Sequence, residues 1–592
     1  MKKTIKYIFS QYKLLVCIIL LLPLILGIIT PKKYLKEMEV RFYYSPNYKV
    51  SNSVDKSLLK TINSLNTTFE KSYSDKNLSV DITPISGGEN QYKISIQSHN
   101  YIDDNTTNKI YSTFKDILLE KIPELYHVSH IENNDYLYIS SNINNIIWNY
   151  IKTLVLIISS LLLVSLLNSE KKSLINKRNV IIYAIFFILS TLLNLSLMMS
   201  AILFTASLIY HYSKKLNIKD NIVKLLILAI SIRLIIGIAL MALNLFKYGS
   251  IYSYLQPDEI FYYSSGDTIG NYLRNFSWPD LKAITGVDQY GYNLFLGFIN
   301  ALTGKDFFIT VKIINVCFSL ILIPITYDLS FSITENKQVS NLTTIIMSIM
   351  PTFALFSNFA LRDILISLCM CIIILQTIKL NKYGLKRNFS NIFILFLGVV
   401  SLWFLRKFAA LILIGICIFY TILKLSNRKK ISIMITLSTI FLSVALVLRL
   451  ITTVYSIDII SMIENYINSL GISNLIKGLF LSIVNLDFLS NTNANLYESV
   501  KLIGLRGLYP ETLFLIISFP AFIIGIIKGL KVNREFVISI LAFIFGLILI
   551  YRIEYGGWFL RIQLQILPYQ YLLISLGICK LFGNSNLLKK LN

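Results

Sequence analysis

The chain has 592 residues, 55% of them hydrophobic and only 15% charged. A soluble protein of this length carries about a quarter charged residues, so the composition excludes an ordinary water-soluble enzyme and predicts a polytopic helical membrane protein. The formal net charge of +24 does not indicate nucleic acid, because the cations gather in short loops between apolar runs: Lys2, Lys3, Lys6 and Lys13, then Lys171, Lys172, Lys177 and Arg178, then Lys214, Lys215 and Lys219, then Arg428, Lys429 and Lys430. That is the pattern of the positive-inside rule, in which loop cations set topology.

In chain order, residues 14–30 are an apolar run behind a basic start and read as an uncleaved signal anchor, so 1–30 is taken as the first crossing. Residues 31–147 are polar and predict a small extracytoplasmic α/β domain. Val40-Arg41-Phe42-Tyr43-Tyr44 and Tyr92-Lys93-Ile94-Ser95-Ile96 alternate like strands, and 105–120 has helical spacing, with Ile110, Phe114, Ile117 and Leu118 on one side. Residues 148–212 hold a membrane helix and a linking hairpin. Residues 213–592 then read as crossings near 222–245, 308–331, 341–359, 361–380, 391–404, 408–424, 431–450, 511–530, 535–551 and 558–578. The total is about fourteen crossings with both termini cytoplasmic, which puts the loops 246–307, 360–363, 405–407, 451–510 and 552–557 on the outer face.

The six cysteines (Cys17, Cys317, Cys369, Cys371, Cys417, Cys579) all lie in apolar runs and form neither a disulfide framework nor a metal-ligand spacing. The four histidines (His99, His127, His130, His211) precede the later membrane core, so chemistry there runs without imidazole. No phosphate-cradling, dinucleotide or zinc-protease motif is present.

Candidate functional residues cluster at the outer loops. Pro257-Asp258-Glu259 follows an apolar run and is ringed by Tyr252, Tyr254, Phe261, Tyr262 and Tyr263. A carboxylate there suits a general base acting on a hydroxyl, with or without a divalent metal ion, or else a solvated loop acid. Asp267 supports the same loop. Arg362 beside Asp363 suits either a phosphate ligand or a self-screened turn pair. Arg406 and Lys407 stand where outer-face cations are disfavoured, which invites a phosphate. Arg561 opens the last run, as a phosphate ligand or as a snorkelling side chain. Arg233, mid-run among Ile232, Leu234 and Ile235, needs a carboxylate or carbonyl partner inside the bundle. Arg506 to Glu511 reads as the anchor of a lid over 451–510.

The order of parts carries a resemblance. After the acidic loop come Gly291-Tyr292-Asn293-Leu294-Phe295-Leu296-Gly297, then Leu302-Thr303-Gly304-Lys305-Asp306, a helix opening on Val311-Lys312-Ile313-Ile314-Asn315, an apolar helix with Pro351, and Ala360-Leu361-Arg362-Asp363. Nearer the C-terminal side stand Tyr551 to Gln563, followed by Pro568. Over about 222–578 this resembles the GT-C glycosyltransferases, such as protein O-mannosyltransferases and lipid A aminoarabinose transferases.

The resemblance implies sugar transfer from a polyprenyl-phosphate-linked donor to a glycan, lipid or protein acceptor, with inversion, at the outer face of a bacterial plasma membrane. It assigns Asp258 and Glu259 to the family's acidic pair and Asp363 to its later turn acid, and Arg362, Arg406, Lys407 and Arg561 are then the candidates to hold the donor phosphate. The chain departs from the family in having more crossings than its simpler members and in lacking a large soluble C-terminal domain. Residues 31–147 resemble polysaccharide chain-length regulators. That keeps open a polymerase with a fused regulator, and a lipid-linked oligosaccharide flippase is the further alternative.

Overall fold

A computed structural model describes residues 34–44, 78–84, 91–98, 104–121, 125–138, 147–157, 196–215, 219–248, 257–286, 289–303, 307–384, 389–429, 506–555 and 560–582, with a few single positions between them. The crossings read at 14–30 and 431–450 and most of 451–510 lie outside the described residues. Among the described residues five helices are long and apolar enough to cross a membrane. The count reaches six when Pro510–Ile517 and Phe519–Val532, bent by 53° at their break, are taken as one span rather than a re-entrant loop. Shorter apolar helices accompany them, and the protein is a multi-pass helical membrane protein.

The chain forms two compact units, one of residues 1–210, 235–314 and 497–500, the other of 211–234, 315–496 and 501–592.

The first unit contains strands β1 (Tyr34–Tyr44), β2 (Leu78–Pro84), β3 (Gln91–Ser98) and β4 (Leu125–Tyr138) and helix α1 (Asp104–Lys121). The sheet order is β2-β3-β1-β4, with every pairing antiparallel. It takes in the two alternating stretches read from sequence and adds two strands. Period-two alternation puts Val40, Val80, Ile82, Ile94 and Ile96 on one buried face, and Ile110, Phe114 and Leu118 of α1 are buried as well.

The same unit contains α2 (Ile147–Ile157), α5 (Pro257–Arg274), α6 (Leu281–Thr285) and α7 (Gly291–Thr303). Trp148 of α2 shares a core with Ile269, Leu273, Leu281 and Ala301, and Ile269, Leu273 and Leu281 contribute about 1.5–3 kcal/mol each where burial removes them from water. Among its described residues, the segment read as the 246–307 loop therefore holds three packed helices. Proline's fixed φ and missing N–H suit the first helical position, so Pro257 opens α5. Asp280 caps α6 through the amides of Lys282 and Ala283, and Gly286 ends it at φ 63°. Gly270 and Gly297 let α5 and α7 touch, since a Cβ at Gly270 would fall 2.3 Å from Asn300 Oδ1 and one at Gly297 2.3 Å from Ile269 Cγ2.

Helices α3 (Ser196–Lys215), α4 (Lys219–Tyr248) and α8 (Phe307–Thr334) lead from one unit into the other. The second unit holds α9 (Lys337–Ile349), α10 (Pro351–Phe356), α11 (Asp363–Tyr383), α12 (Phe389–Leu405), α13 (Lys407–Lys429), α14 (Arg506–Ile517), α15 (Phe519–Val532), α16 (Arg534–Tyr555), α17 (Leu560–Gln563) and α18 (Leu567–Phe582).

Three crossings read as continuous are broken. Met350, just ahead of Pro351, separates α9 from α10, Ser518, two residues ahead of Pro520, separates α14 from α15, and 564–566 separate α17 from α18. At the first break Glu511 Oε2 accepts from the Thr352 amide (2.8 Å) and from its hydroxyl, while Tyr571 donates to Oε1 (2.5 Å). Arg506 to Glu511, read as a lid anchor, instead lies in the opening of α14, and Glu511 is fully buried. Helices α15 and α18 pack backbone to backbone. A Cβ on Gly525 would lie 1.8 Å from the Leu573 carbonyl oxygen, and one on Gly577 1.8 Å from that of Ala521. Small residues allow this approach, and in lipid packing of this kind, with hydrogen bonds, drives helix association.

Candidate functional site: a cation cluster and an acidic helix

In the second unit four helix ends meet. Arg406 sits alone between the last residue of α12 and the first of α13. Its amide donates to Leu402 O, and Ala410 donates to its own carbonyl, so the chain passes from one helix to the next with little unpaired backbone. The guanidinium is 3% exposed. Nη1 lies 3.9 Å from Asp363 Oδ1 and donates to the Tyr551 hydroxyl. The same group packs over the rings of Phe408 (5.3 Å) and Tyr551 (4.9 Å), the stacking a planar guanidinium allows and an ammonium does not. Gln565 holds the Tyr551 hydroxyl from beyond α17.

Asp363 is the first residue of α11, where a carboxylate meets the positive end of the helix dipole. Arg362, half-buried at the cap position, donates from Nη1 to Leu405 O (2.9 Å). Lys407, also half-buried, opens α13. Behind them Asn315 of α8 donates to the carbonyls of Phe359 (2.8 Å) and Leu361 (3.0 Å), fixing the turn before Arg362. Arg406 thus pairs with Asp363, with Arg362 and Lys407 as their neighbours in sequence and the N-termini of α11 and α13 opening at these residues; cations at helix N-termini favour an anion. Arg561 lies on α17, and its side chain is outside the described residues.

Arg233 is fully buried in α4 of the same unit and found carbonyls. Nε donates to Ser319 Oγ (2.5 Å), and Nη1 to Ala229 O (3.1 Å) and Ser348 O (3.3 Å). Asn358 donates to the Arg233 carbonyl (3.1 Å). These contacts make it a tie within the bundle.

In the first unit the acids read from sequence share α5 but not a role. Asp258 and Glu259 occupy its first turn. Asp258 is half-buried, whereas Glu259 is fully buried with Oε1 3.5 Å from Lys312 Nζ. Asp267 accepts from Asn300 Nδ2 (3.0 Å), and Asn300 accepts in turn from Arg274 Nη2 (2.6 Å). Burial pushes the Arg274 guanidinium below its ordinary value, and the Asp267 charge works against that shift. Asp267 is thus a strut between α5 and α7. Lys312, Tyr551 and Gln565 were missed by the sequence reading as site residues. Lys312 carried a signal, being a cation in the second turn of an apolar helix.

Among the described residues no three His, Cys, Asp or Glu side chains come together as metal ligands. No protein-family model matches this chain, and neither a curated protein nor a solved structure matches it.

Proposed function

We propose that the protein is a membrane glycosyltransferase of the GT-C type, taking a sugar from a polyprenyl-phosphate-linked donor. The observation that carries this reading is the cation excess around Arg406: a rigid, half-enclosed group of Arg362, Arg406 and Lys407 set on two helix N-termini suits a phosphate ester. Asp363 and Tyr551 hold Arg406, and Arg362 and Lys407 beside it are the further cations this reading gives to the phosphate. In the reaction the acceptor hydroxyl oxygen bonds to the anomeric carbon as the bond from that carbon to the phosphate oxygen breaks. The electron pair leaves on polyprenyl phosphate, whose charge the cations stabilise, and the hydroxyl proton passes to Asp258. In-line attack inverts the anomeric centre.

The reading includes about fourteen crossings, cytoplasmic termini, and an extracytoplasmic place for the sheet and α1. Its acceptor is a glycan, lipid or protein at the outer face of a bacterial plasma membrane. The test is transfer from a radiolabelled polyprenyl-phosphate sugar by the purified chain in liposomes. Transfer that survives replacement of both Arg362 and Lys407 by alanine would sink the reading. In the same assay a ladder of repeat units rather than single additions marks a polymerase. A flippase reading draws on the interrupted spans at Met350 and Ser518, since interrupted helices build transport sites; movement of lipid-linked sugar across the vesicle without transfer favours it.

A further inference from the structure

Glu259 and Lys312 together form a clamp that nothing above assigns. Lys312 Nζ lies 3.5 Å from Glu259 Oε1 and 4.6 Å from the centroid of the Phe308 ring. That ring meets Tyr263 edge-on at 5.6 Å and 89°. Tyr263 stands four residues after Glu259, and Phe308 four residues before Lys312. On both helices the two contacts therefore share one face, a turn apart. On the flank of α5 toward α7, Tyr262 packs edge-on to Tyr292 at 4.9 Å, and Ser265 accepts from Asn293 Nδ2 (2.5 Å). The first two turns of α5 are thus held from two directions.

Rotation matters because neighbouring residues on a helix project about 100° apart. Once Glu259 and Tyr263 are fixed, so is the direction in which Asp258 leaves the helix. Stability alone is a poor reason for the pair: taking Glu259 out of water costs several kcal/mol, and apolar residues in place of a buried ion pair are often as stable or more so. A cation in the second turn of an apolar span adds to that cost.

We propose that Lys312 is the positioning residue of the acidic pair, aiming the Asp258 carboxylate through its ion pair with Glu259. The proposal rests on the reading that Asp258 takes the acceptor's proton. Glu259, by the same logic, touches Lys312 rather than substrate and is a second positioning residue.

The test uses the full chain in liposomes and two readouts. In the transfer assay Lys312→Met lowers kcat by about 100-fold, the cost of misplacing a reacting group by roughly 1 Å, with KM little changed, and Lys312→Arg stays close to wild type. The double variant Glu259→Gln with Lys312→Met, which leaves no lone buried charge, remains folded and equally slow. The second readout needs no turnover. The rate at which Asp258→Cys reacts with a membrane-impermeant maleimide changes severalfold when Lys312→Met is added, and not when Lys312→Arg is added.

Wild-type kcat in the double variant, or a maleimide rate indifferent to Lys312, overturns the clamp. A chain that transfers nothing while its maleimide rate follows Lys312 overturns the glycosyltransferase reading and leaves the clamp standing.

Discussion

Two acids open helices in this protein in the same way and end in different company. Glu259 in α5 and Asp363 in α11 both lie in a first turn, both are buried, and each meets a cation near the start of another helix. Around Glu259 the balance is acidic, with Asp258 and Asp267 on the same helix and one ammonium against it. Around Asp363 it is basic, with Arg362, Arg406 and Lys407 nearby. The cations differ too. Lys312 makes a point contact and rests on one ring, whereas Arg406 lies over two rings and is bonded to a tyrosine. On the proposed reading the same local device, an acid on a helix dipole, aims a neighbouring carboxylate in one unit and tempers a cation cluster in the other.

Removing Arg406 tests the second half of that contrast hardest. Arg406→Leu strands Asp363 as an unpaired buried charge and costs about 3–5 kcal/mol, read as loss of monodisperse protein or a collapse of the thermal transition in detergent. Arg406→Lys keeps the charge without the stacking and falls between. Asp258→Asn tests the first half. Transfer drops about 10²- to 10⁴-fold, the usual contribution of a general base, while thermal unfolding moves by less than about 1 kcal/mol, since only a first-turn charge on an N-terminus is lost. An equal loss of stability would make Asp258 a cap and nothing more.

Gly525→Val is the control away from both acids. The Cβ has no room beside Leu573, and overpacking costs about 1–3 kcal/mol with no change in turnover per folded molecule. Arg362→Ala lowers kcat/KM for the lipid-linked donor about tenfold, or 1.4 kcal/mol, with part of the loss in kcat because the charge removed faces the leaving phosphate. The smallest effect belongs to a third paired acid. A hydrogen bond from Lys382 and its charge hold the Glu335 carboxyl below the usual carboxylate value. Its contribution is therefore present above that value and fades as the pH falls through the lowered one. Glu335 is exposed, so salt screens the pair, and Glu335→Gln leaves unfolding curves at pH 7 and pH 4 superimposable on wild type.

What the sequence disclosed follows from range. Apolar runs between basic loops are local, and the long helices α4, α8, α11, α13 and α16 were read from them to within a few residues. The breaks were partly legible: Pro351 was noticed, but Pro520, two residues after Ser518, was passed over because the apolar run continues through it. The site was legible only as charge at helix ends. Arg362, Asp363 and Arg406 stood out as ionisable residues where lipid meets water, but Tyr551, which shares Arg406 with Asp363, lies 145 residues away and looks like any tyrosine near the end of a span. Glu259 and Lys312 are separated by a whole helical subassembly, and nothing local pairs them.

The break at Pro351 carries one further implication. Interrupting a helix inside a hydrocarbon layer exposes an amide that no surrounding molecule can answer, and Glu511, far along the chain, answers the one on Thr352. An acid buried in the helix bundle is here a repair to a neighbour's backbone. What the position requires is an acceptor rather than a negative charge, so Glu511→Gln should be borne easily and Glu511→Leu should not.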